Sequence, residues 1–189
     1  MYIMKVRILF LICFLCITCL LNAADKPVIQ IHTDNSSLIF HVADNGRLYQ
    51  SYLGKKLNHE TDISHLPQGT EAYITHGMED YFEPAIHILH NDGNPSLLLK
   101  YVSHETKAVS QGVNETIITL GDDKYPVTVK LHYVTYPAED IIKTYTEISH
   151  KEKKPVVLHQ YASSMLHLNR AKYYLTEFSG DWAHEANIS

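Results

Sequence analysis

The sequence predicts an all-β fold, an antiparallel β-sandwich, and three observations support this prediction. Apolar and polar residues alternate over short runs, clusters of turn-forming residues separate the runs, and no long stretch keeps the period of a helix. So many half-apolar strands can bury their inner faces only against a second sheet. The 189 residues leave room for one such domain, and a hydrophobic content of 45% is enough for a core.

The run 127–133 shows the alternation most clearly. Val127, Val129, Leu131 and Tyr133 alternate with polar residues, which gives the run one apolar face and one mixed face. Ten or more strands of this kind are expected. The similar runs are Val28–His32, Leu38–Val42, Leu48–Leu53, Ile86–His90, Leu97–Val102, Glu115–Leu120, Ile141–Ile148, Val156–Ser163 and Tyr173–Phe178.

Turn signals such as Asp44-Asn45-Gly46 and Asn91-Asp92-Gly93-Asn94 separate the predicted strands, and they suit connections between antiparallel neighbours. The stretch Asn58–Glu83 differs from the rest, because proline, glycine and charged residues break the alternation there. We expect a long loop or a crossover between sheets at this place. Functional sites are often built on such loops.

Residues 1–24 have the layout of a secretory signal. Lys5 and Arg7 precede an apolar run from Ile8 to Leu21, and small residues follow near Ala24. The alternative is a transmembrane anchor, but these 14 apolar residues fall short of the roughly 20 that a bilayer core requires. We therefore expect a mature domain of residues 25–189 that is secreted or periplasmic and free of the membrane after cleavage.

The composition of the mature part excludes some partners and sites. All 3 cysteines lie in the leader, so neither a disulfide nor a thiolate metal site is expected in the exported domain. Without Lys5 and Arg7, 14 of the 16 basic residues remain against 21 acidic ones, a net charge of −7. Nucleic acid and anionic membrane surfaces are poor partners for such a chain.

Thirteen histidines raise the question of a metal site. His87 and His90 are three residues apart on a predicted strand, so their side chains point to opposite faces and cannot share an ion by themselves. Surface or cross-strand roles are the main interpretation, and metal binding is the minor alternative. We predict no metal and no cofactor. The other histidines in strand-like surroundings occur singly: His132, His150, His159 and His167.

Two acidic clusters, Glu79-Asp80 with Glu83 and Glu139-Asp140, invite comparison with glycosidase carboxylates. Glycoside hydrolysis needs two carboxyl groups that face each other across the bond, one of them with a raised pKa. Neighbouring residues in a polar loop do not provide that arrangement by themselves. Solvated loop charges are therefore the favoured interpretation of both clusters.

Several segments, taken in order, resemble family 36 glycoside hydrolases, the α-galactosidases. The likeness runs from about Pro27 to the last residue, and the agreement of five segments in order is more specific than any one of them. The segments are Phe82-Glu83-Pro84-Ala85, Leu99–His104, Leu131-His132-Tyr133 with Tyr136–Asp140, Lys154-Pro155-Val156 and, most tellingly, Tyr173–Glu185.

The resemblance implies a large sandwich of the supersandwich type, placed in that family before a (β/α)8 barrel and a small C-terminal β-domain. Family members are retaining hydrolases that release terminal α-linked galactose with two barrel aspartates and no metal, and they commonly assemble as homo-oligomers. Neither aspartate can be assigned, because no position in this chain matches the catalytic motifs. The implied partners are α-galactosides, through the parent enzyme, and the enzyme's own catalytic barrel.

The family's N-terminal domain continues beyond the segment around Trp182, so the resemblance implies that these residues form a partial domain, incomplete at its C-terminus. We expect an open sheet edge there, which would favour aggregation of an isolated product.

The resemblance also implies that loops of the sandwich reach the mouth of the active site. The alternative is packing, since Trp182 can instead cover the sandwich where the chain turns. The candidates for the substrate mouth are Tyr73, His76, Asp80, Asp181, Trp182 and Glu185.

Three functional hypotheses follow. The first is the N-terminal sandwich domain of a secreted α-galactosidase, inactive alone because the catalytic barrel is absent. The second is a free-standing secreted carbohydrate-binding or adhesion module, which usually presents several aromatic residues on one exposed face, whereas this chain has a single tryptophan. The third is a structural domain that docks a separately encoded barrel.

Overall fold

A computed structural model describes residues 26–77, 83–168, 178–181 and 184–188 of the chain. Within these ranges the chain forms strands and a helix of five residues, α1, at Glu60–Ser64. The strands are β1 (Val28–His32), β2 (Ser36–Val42), β3 (Leu48–Lys55), β4 (Thr70–Glu71), β5 (Ile86–Leu89), β6 (Lys100–Ser110), β7 (Val113–Gly121), β8 (Val127–Tyr136), β9 (Ile141–His150), β10 (Val157–Tyr161), β11 (Phe178–Asp181) and β12 (His184–Ile188).

The described strands form two four-stranded antiparallel sheets, in the orders β1-β2-β3-β4 and β6-β7-β8-β9. Two antiparallel pairs, β5 with β10 and β11 with β12, accompany them. This architecture confirms the predicted all-β sandwich. The predicted secretory leader lies outside the described residues, and no helix in the described part is long and apolar enough to cross a bilayer.

The core lies between the inner faces of the two large sheets. On β8, Val127, Val129, Leu131 and Tyr133 are buried, as their alternation predicts. Phe40 of β2 meets Tyr133 across the sandwich with ring centroids 5.2 Å apart. Burying a large apolar side chain of this kind stabilises the fold by about 1.5–3 kcal/mol relative to leaving it exposed.

Strand β6 differs from its prediction. The apolar run predicted a strand at Leu97–Val102. In the structure the strand occupies Lys100–Ser110 and is exposed over most of its length. It is an edge strand of its sheet in the described part of the chain. The pairing with β7 shifts at Val102 and again at Val109, where a bulged residue is left unpaired with β7. Bulges of this kind are common at sheet edges, where they disturb pairing with foreign strands.

The stretch Asn58–Glu83, predicted as a loop or crossover, also contains α1 and the short strand β4 in its described part. β4 pairs with β3, and the segment that follows it is buried from Ala72 to Thr75. Gly69 lies just before β4 with a φ of +75°, and a Cβ there would come within 1.9 Å of the Gln50 carbonyl oxygen. Only glycine allows the chain to approach β3 this closely.

Candidate functional site

The segment that leaves β4 leads from the core to the surface, and it carries two of the predicted mouth residues. The backbone of His76 donates to the Ile86 carbonyl at 3.0 Å, and Thr75 forms a parallel bridge with Ile86. The Thr75 hydroxyl donates to the Leu97 carbonyl at 2.6 Å. These bonds fix the end of the segment against the first residue of β5.

Tyr73 lies in the core rather than at a surface. Its side chain is buried, and its hydroxyl donates to the Ala162 carbonyl at 2.7 Å. Burial raises the pKa of the Tyr73 phenol, although its hydrogen bonds to Thr146 and Ala162 oppose the shift. The geometry gives Tyr73 a packing role that ties the segment after β4 to the chain beyond β10.

His76 belongs to a stack of three imidazole rings, which we call the histidine ladder: His76, His87 of β5 and His159 of β10. The centroids of His76 and His87 are 3.7 Å apart, and those of His87 and His159 are 4.8 Å apart. The ladder exists because His159 sits at the bulge in the β5–β10 pairing, beside the pair formed by His87 and Gln160.

The electrostatics of the histidine ladder favour a neutral ring at His87. Partial burial lowers the pKa of His87, and the adjacent His76 and His159 lower it further, because a second imidazolium would be repelled. Neutral imidazoles offer one donor and one acceptor each, which suits contacts with hydroxyl groups. The stacked rings do not converge on one point, and no group of three or more ligating side chains in the described ranges is arranged to hold a metal ion.

The opposite-face prediction for His87 and His90 is confirmed. His87 joins the ladder, whereas His90 is buried, with its Nδ1 at 2.7 Å from Glu152 Oε1 and its ring stacked on Tyr125 at 3.5 Å. The two histidines therefore serve different parts of the molecule.

The remaining predicted mouth residues lie at two places. Asp80 and Trp182 fall outside the described residues. Asp181 ends β11, where it pairs with His184 of β12, and Glu185 follows in β12. Asp181 and Glu185 therefore belong to one hairpin, as their nearness in sequence suggests. Their role at a sugar pocket remains a prediction.

Two residues of the predicted acidic clusters, Glu83 and Asp140, have structural partners. Glu83 accepts a hydrogen bond from the Gln160 amide at 2.9 Å, and Asp140, in a left-handed turn with φ 55°, accepts bonds from the hydroxyls of Thr33 and Ser36. The loop cluster 139–140 thus includes a turn-forming aspartate and not an opposed pair of carboxyl groups.

A polar cluster that the sequence did not reveal covers the outer face of the sheet β6–β9. Glu115 Oε1 accepts bonds from Tyr145 at 2.5 Å and from His132 at 2.9 Å, and Lys107 lies 3.0 Å from Oε2. The rings of His132 and Tyr145 stack with centroids 4.2 Å apart. We call these four residues the Glu115 cluster.

The Glu115 cluster is not suited to acid catalysis. Hydrogen bonds from Tyr145, His132 and Lys107 lower the pKa of Glu115 to about 2. A glycosidase acid needs a raised pKa so that it holds a proton at neutral pH. The cluster therefore acts as a structural ionic site, and the only hint in the sequence was a glutamate at a position that the alternation assigns to a strand.

The glycosyl hydrolase family 36 N-terminal domain matches residues 46–189, which is most of the chain. The chain belongs to this family. The resemblance inferred from the five ordered segments is thereby confirmed. No curated protein matches the chain.

Solved structures share the fold of this family 36 domain. The α-galactosidase from Lactobacillus brevis matches with a TM-score of 0.74 and 20% identity, over 88% of this chain and 27% of that protein. The galactosidase domain of the α-galactosidase–sucrose kinase AgaSK matches with a TM-score of 0.77 and 21% identity, over 87% of this chain and 28% of that protein. A variant of the α-galactosidase AgaA from Geobacillus stearothermophilus, in complex with raffinose, matches with a TM-score of 0.77 and 19% identity. This match covers 86% of this chain and 27% of that protein.

The family 36 domain therefore spans only about a quarter of the length of these enzymes.

Proposed function

We propose that this chain is the N-terminal sandwich domain of a secreted α-galactosidase, a retaining hydrolase of terminal α-galactosides. Hydrolysis is proposed to require a catalytic barrel that these residues do not include. The observation that carries the proposal is the family match over residues 46–189, supported by a sandwich of the same fold in three α-galactosidase structures.

The partners of the buried carboxylates support the inactivity of the chain alone. Glu71 is buried against Arg47, whose Nε donates to Oε1 at 2.8 Å, and Glu115 is buried against Lys107. A retaining glycosidase instead places two carboxyl groups about 5–5.5 Å apart with a sugar between them. Each of these two glutamates is instead paired with a cation of the sandwich.

In the whole enzyme the sandwich is proposed to contribute to the rim of the sugar pocket. His76 and the rest of the histidine ladder offer partly exposed imidazoles, and the hairpin β11–β12 carries Asp181 and Glu185. Hydroxyl-rich ligands are recognised by donors and acceptors of this kind. Assembly of the full-length enzyme into a homo-oligomer is a further part of the proposal.

The test is an activity comparison. The chain alone, and the chain joined to the catalytic barrel of a family 36 enzyme, would be purified and incubated with a chromogenic α-galactoside and with raffinose. We expect turnover only from the longer protein. Turnover by the chain alone would contradict the assignment of catalysis to a separate barrel, and its loss in the Glu71→Gln or Glu115→Gln variant would place a catalytic carboxylate in this chain.

Secretion has its own test. N-terminal sequencing of the protein exported by a host that expresses the full gene is expected to begin near Ala24 or Asp25. Recovery of the intact leader in the exported protein, or retention in the cytoplasm, would contradict this part of the proposal.

A further inference from the structure

A groove runs along the outer face of the first sheet, and its described lining shares no residue with the histidine ladder or the Glu115 cluster. Its volume is about 250 Å³. The floor and walls are aliphatic, and α1 and the turn after it close one side. The apolar lining residues are Val28, Ile39, Val42, Ile63 and Leu66.

A bulge places a polar pair in the groove. Phe40 pairs with Gln50 and Ile39 pairs with Tyr52, so Ser51 is the extra residue of β3. The Ser51 hydroxyl and Nδ1 of His41 share a hydrogen bond, and both residues line the groove. Bulges often redirect a side chain at functional positions.

The imidazole of this pair is held neutral, because burial lowers the pKa of His41. A neutral ring can exchange one donor and one acceptor with a ligand and does not repel the ammonium group that lies in the same lining.

That ammonium group belongs to Lys26, the charged residue among those that line the groove. Lys26 contacts the carboxylate of Asp44, which is fully exposed and is not part of the lining. An exposed ion pair of this kind contributes about 0–1 kcal/mol. A ligand anion can therefore share or replace it at little cost.

The lining selects a class of ligand. The described residues that line it include no carboxylate, no amide side chain and no phenyl, phenol or indole ring, which are the groups that usually bind sugars. Five aliphatic side chains favour an apolar tail, and a single cation favours an anionic head group. The volume lies below the roughly 300–1,000 Å³ of pockets for drug-sized ligands, so the ligand must be small.

We propose that this groove binds a small organic acid, with its aliphatic chain against Ile39 and Ile63 and its carboxylate at Lys26 and the polar pair of Ser51 and His41. This site is separate from the proposed galactoside site and is independent of the proposed function.

The experiment titrates the full chain with hexanoate and follows amide shifts in NMR spectra. Hexan-1-ol and hexylamine serve as neutral and cationic ligands of the same shape. We expect saturable shifts at residues of the groove, with hexanoate the tightest ligand and hexylamine the weakest. Lys26→Met is expected to weaken hexanoate about threefold to fivefold, which corresponds to an ion pair of up to about 1 kcal/mol.

Lys153→Met is the matched control, because Lys153 is an exposed lysine that does not line the groove. It should leave hexanoate affinity unchanged. Ile63→Ser, on the partly exposed wall, is expected to weaken hexanoate and hexan-1-ol alike.

Absence of saturable shifts at the groove, equal affinity for hexylamine, or equal losses in Lys26→Met and Lys153→Met would each overturn the proposal. Thermal unfolding of each variant confirms that the fold is intact before binding is compared.

Discussion

On β8, the two faces of the sheet β6–β9 exclude water to a similar degree by different means. On the inner face Leu131 is 3% exposed, and on the outer face His132, the next residue, is 6% exposed. Leu131 packs in the apolar core, whereas His132 is covered by Tyr145 and bonded to Glu115. Apolar burial does not depend on pH, but an ionic cluster depends on the charge of its members.

The comparison shows that burial alone does not define a core. The inner face stabilises the fold through the area removed from water, and on the outer face the Glu115 cluster contributes only while Glu115 is ionised. Acid should therefore loosen the outer face of the sheet before the inner one, and substitutions on the two faces should differ in their pH dependence.

The largest effect is expected on the inner face. Ile118→Ala empties a fully buried site on β7 and should cost about 2–5 kcal/mol in the free energy of unfolding, equally at pH 7 and pH 4. Urea denaturation followed by circular dichroism measures it. Val102→Ala, at a residue that is 61% exposed, is the control and should change stability by less than about 0.5 kcal/mol.

On the outer face, Glu115→Gln should lower the free energy of unfolding by about 1–3 kcal/mol at pH 7, because three donors lose their buried ionic acceptor. The depressed pKa of Glu115 contributes stability above about pH 4.5, its ordinary value, and that contribution is lost as the pH falls toward about 2. The difference between wild type and variant should therefore shrink in acid. A difference that stays constant from pH 7 to pH 3 would contradict the ionic account.

Tyr145→Phe should have a smaller effect, about 0.5–1.5 kcal/mol, since it removes the 2.5 Å hydrogen bond to Glu115 but keeps the ring that covers His132. Tyr145→Ala removes both the hydrogen bond and the ring, and it should lower the free energy of unfolding by more. Equal losses in the two variants would show that ring stacking does not contribute to burial of the outer face.

The smallest effect concerns the histidine ladder. The lowered pKa of His87 means that its stability contribution is present above about pH 6.5 and is lost as the pH falls below that value. His87→Phe keeps an aromatic ring in the ladder but removes the titrating group. Between pH 6.5 and pH 5 the variant should therefore lose less stability than the wild type, and the difference should be under about 1 kcal/mol. His65→Phe, at an exposed ring after α1, is the control and should follow the wild type.

Strand alternation predicted much of the fold, since residues such as Val127 to Tyr133 reveal a half-buried strand by themselves. It failed at β6, because a strand exposed on both faces has no reason to alternate, and residues 103–110 are mostly polar. The histidine ladder and the Glu115 cluster could not be predicted from the sequence either. His87 meets His159, and Glu115 meets Tyr145, only through the packing of strands distant in sequence.

The position of Tyr73 illustrates the same limit. A tyrosine in an irregular stretch suits either a ligand surface or a core, and the sequence contains nothing that distinguishes them. The buried hydrogen bond to Ala162 becomes visible only in three dimensions.

The bulges of β6 have a consequence for the solubility of the molecule. Between Val102 and Val109 only the six residues Ser103 to Ala108 run straight, and Glu105 and Lys107 place charges in that short interval. A strand from another molecule could form too few backbone hydrogen bonds along this edge, and pairing there would have to desolvate both charges. Deleting Val102 would lengthen the regular interval, and fibrils that bind thioflavin should then form at concentrations where the parent chain stays in solution.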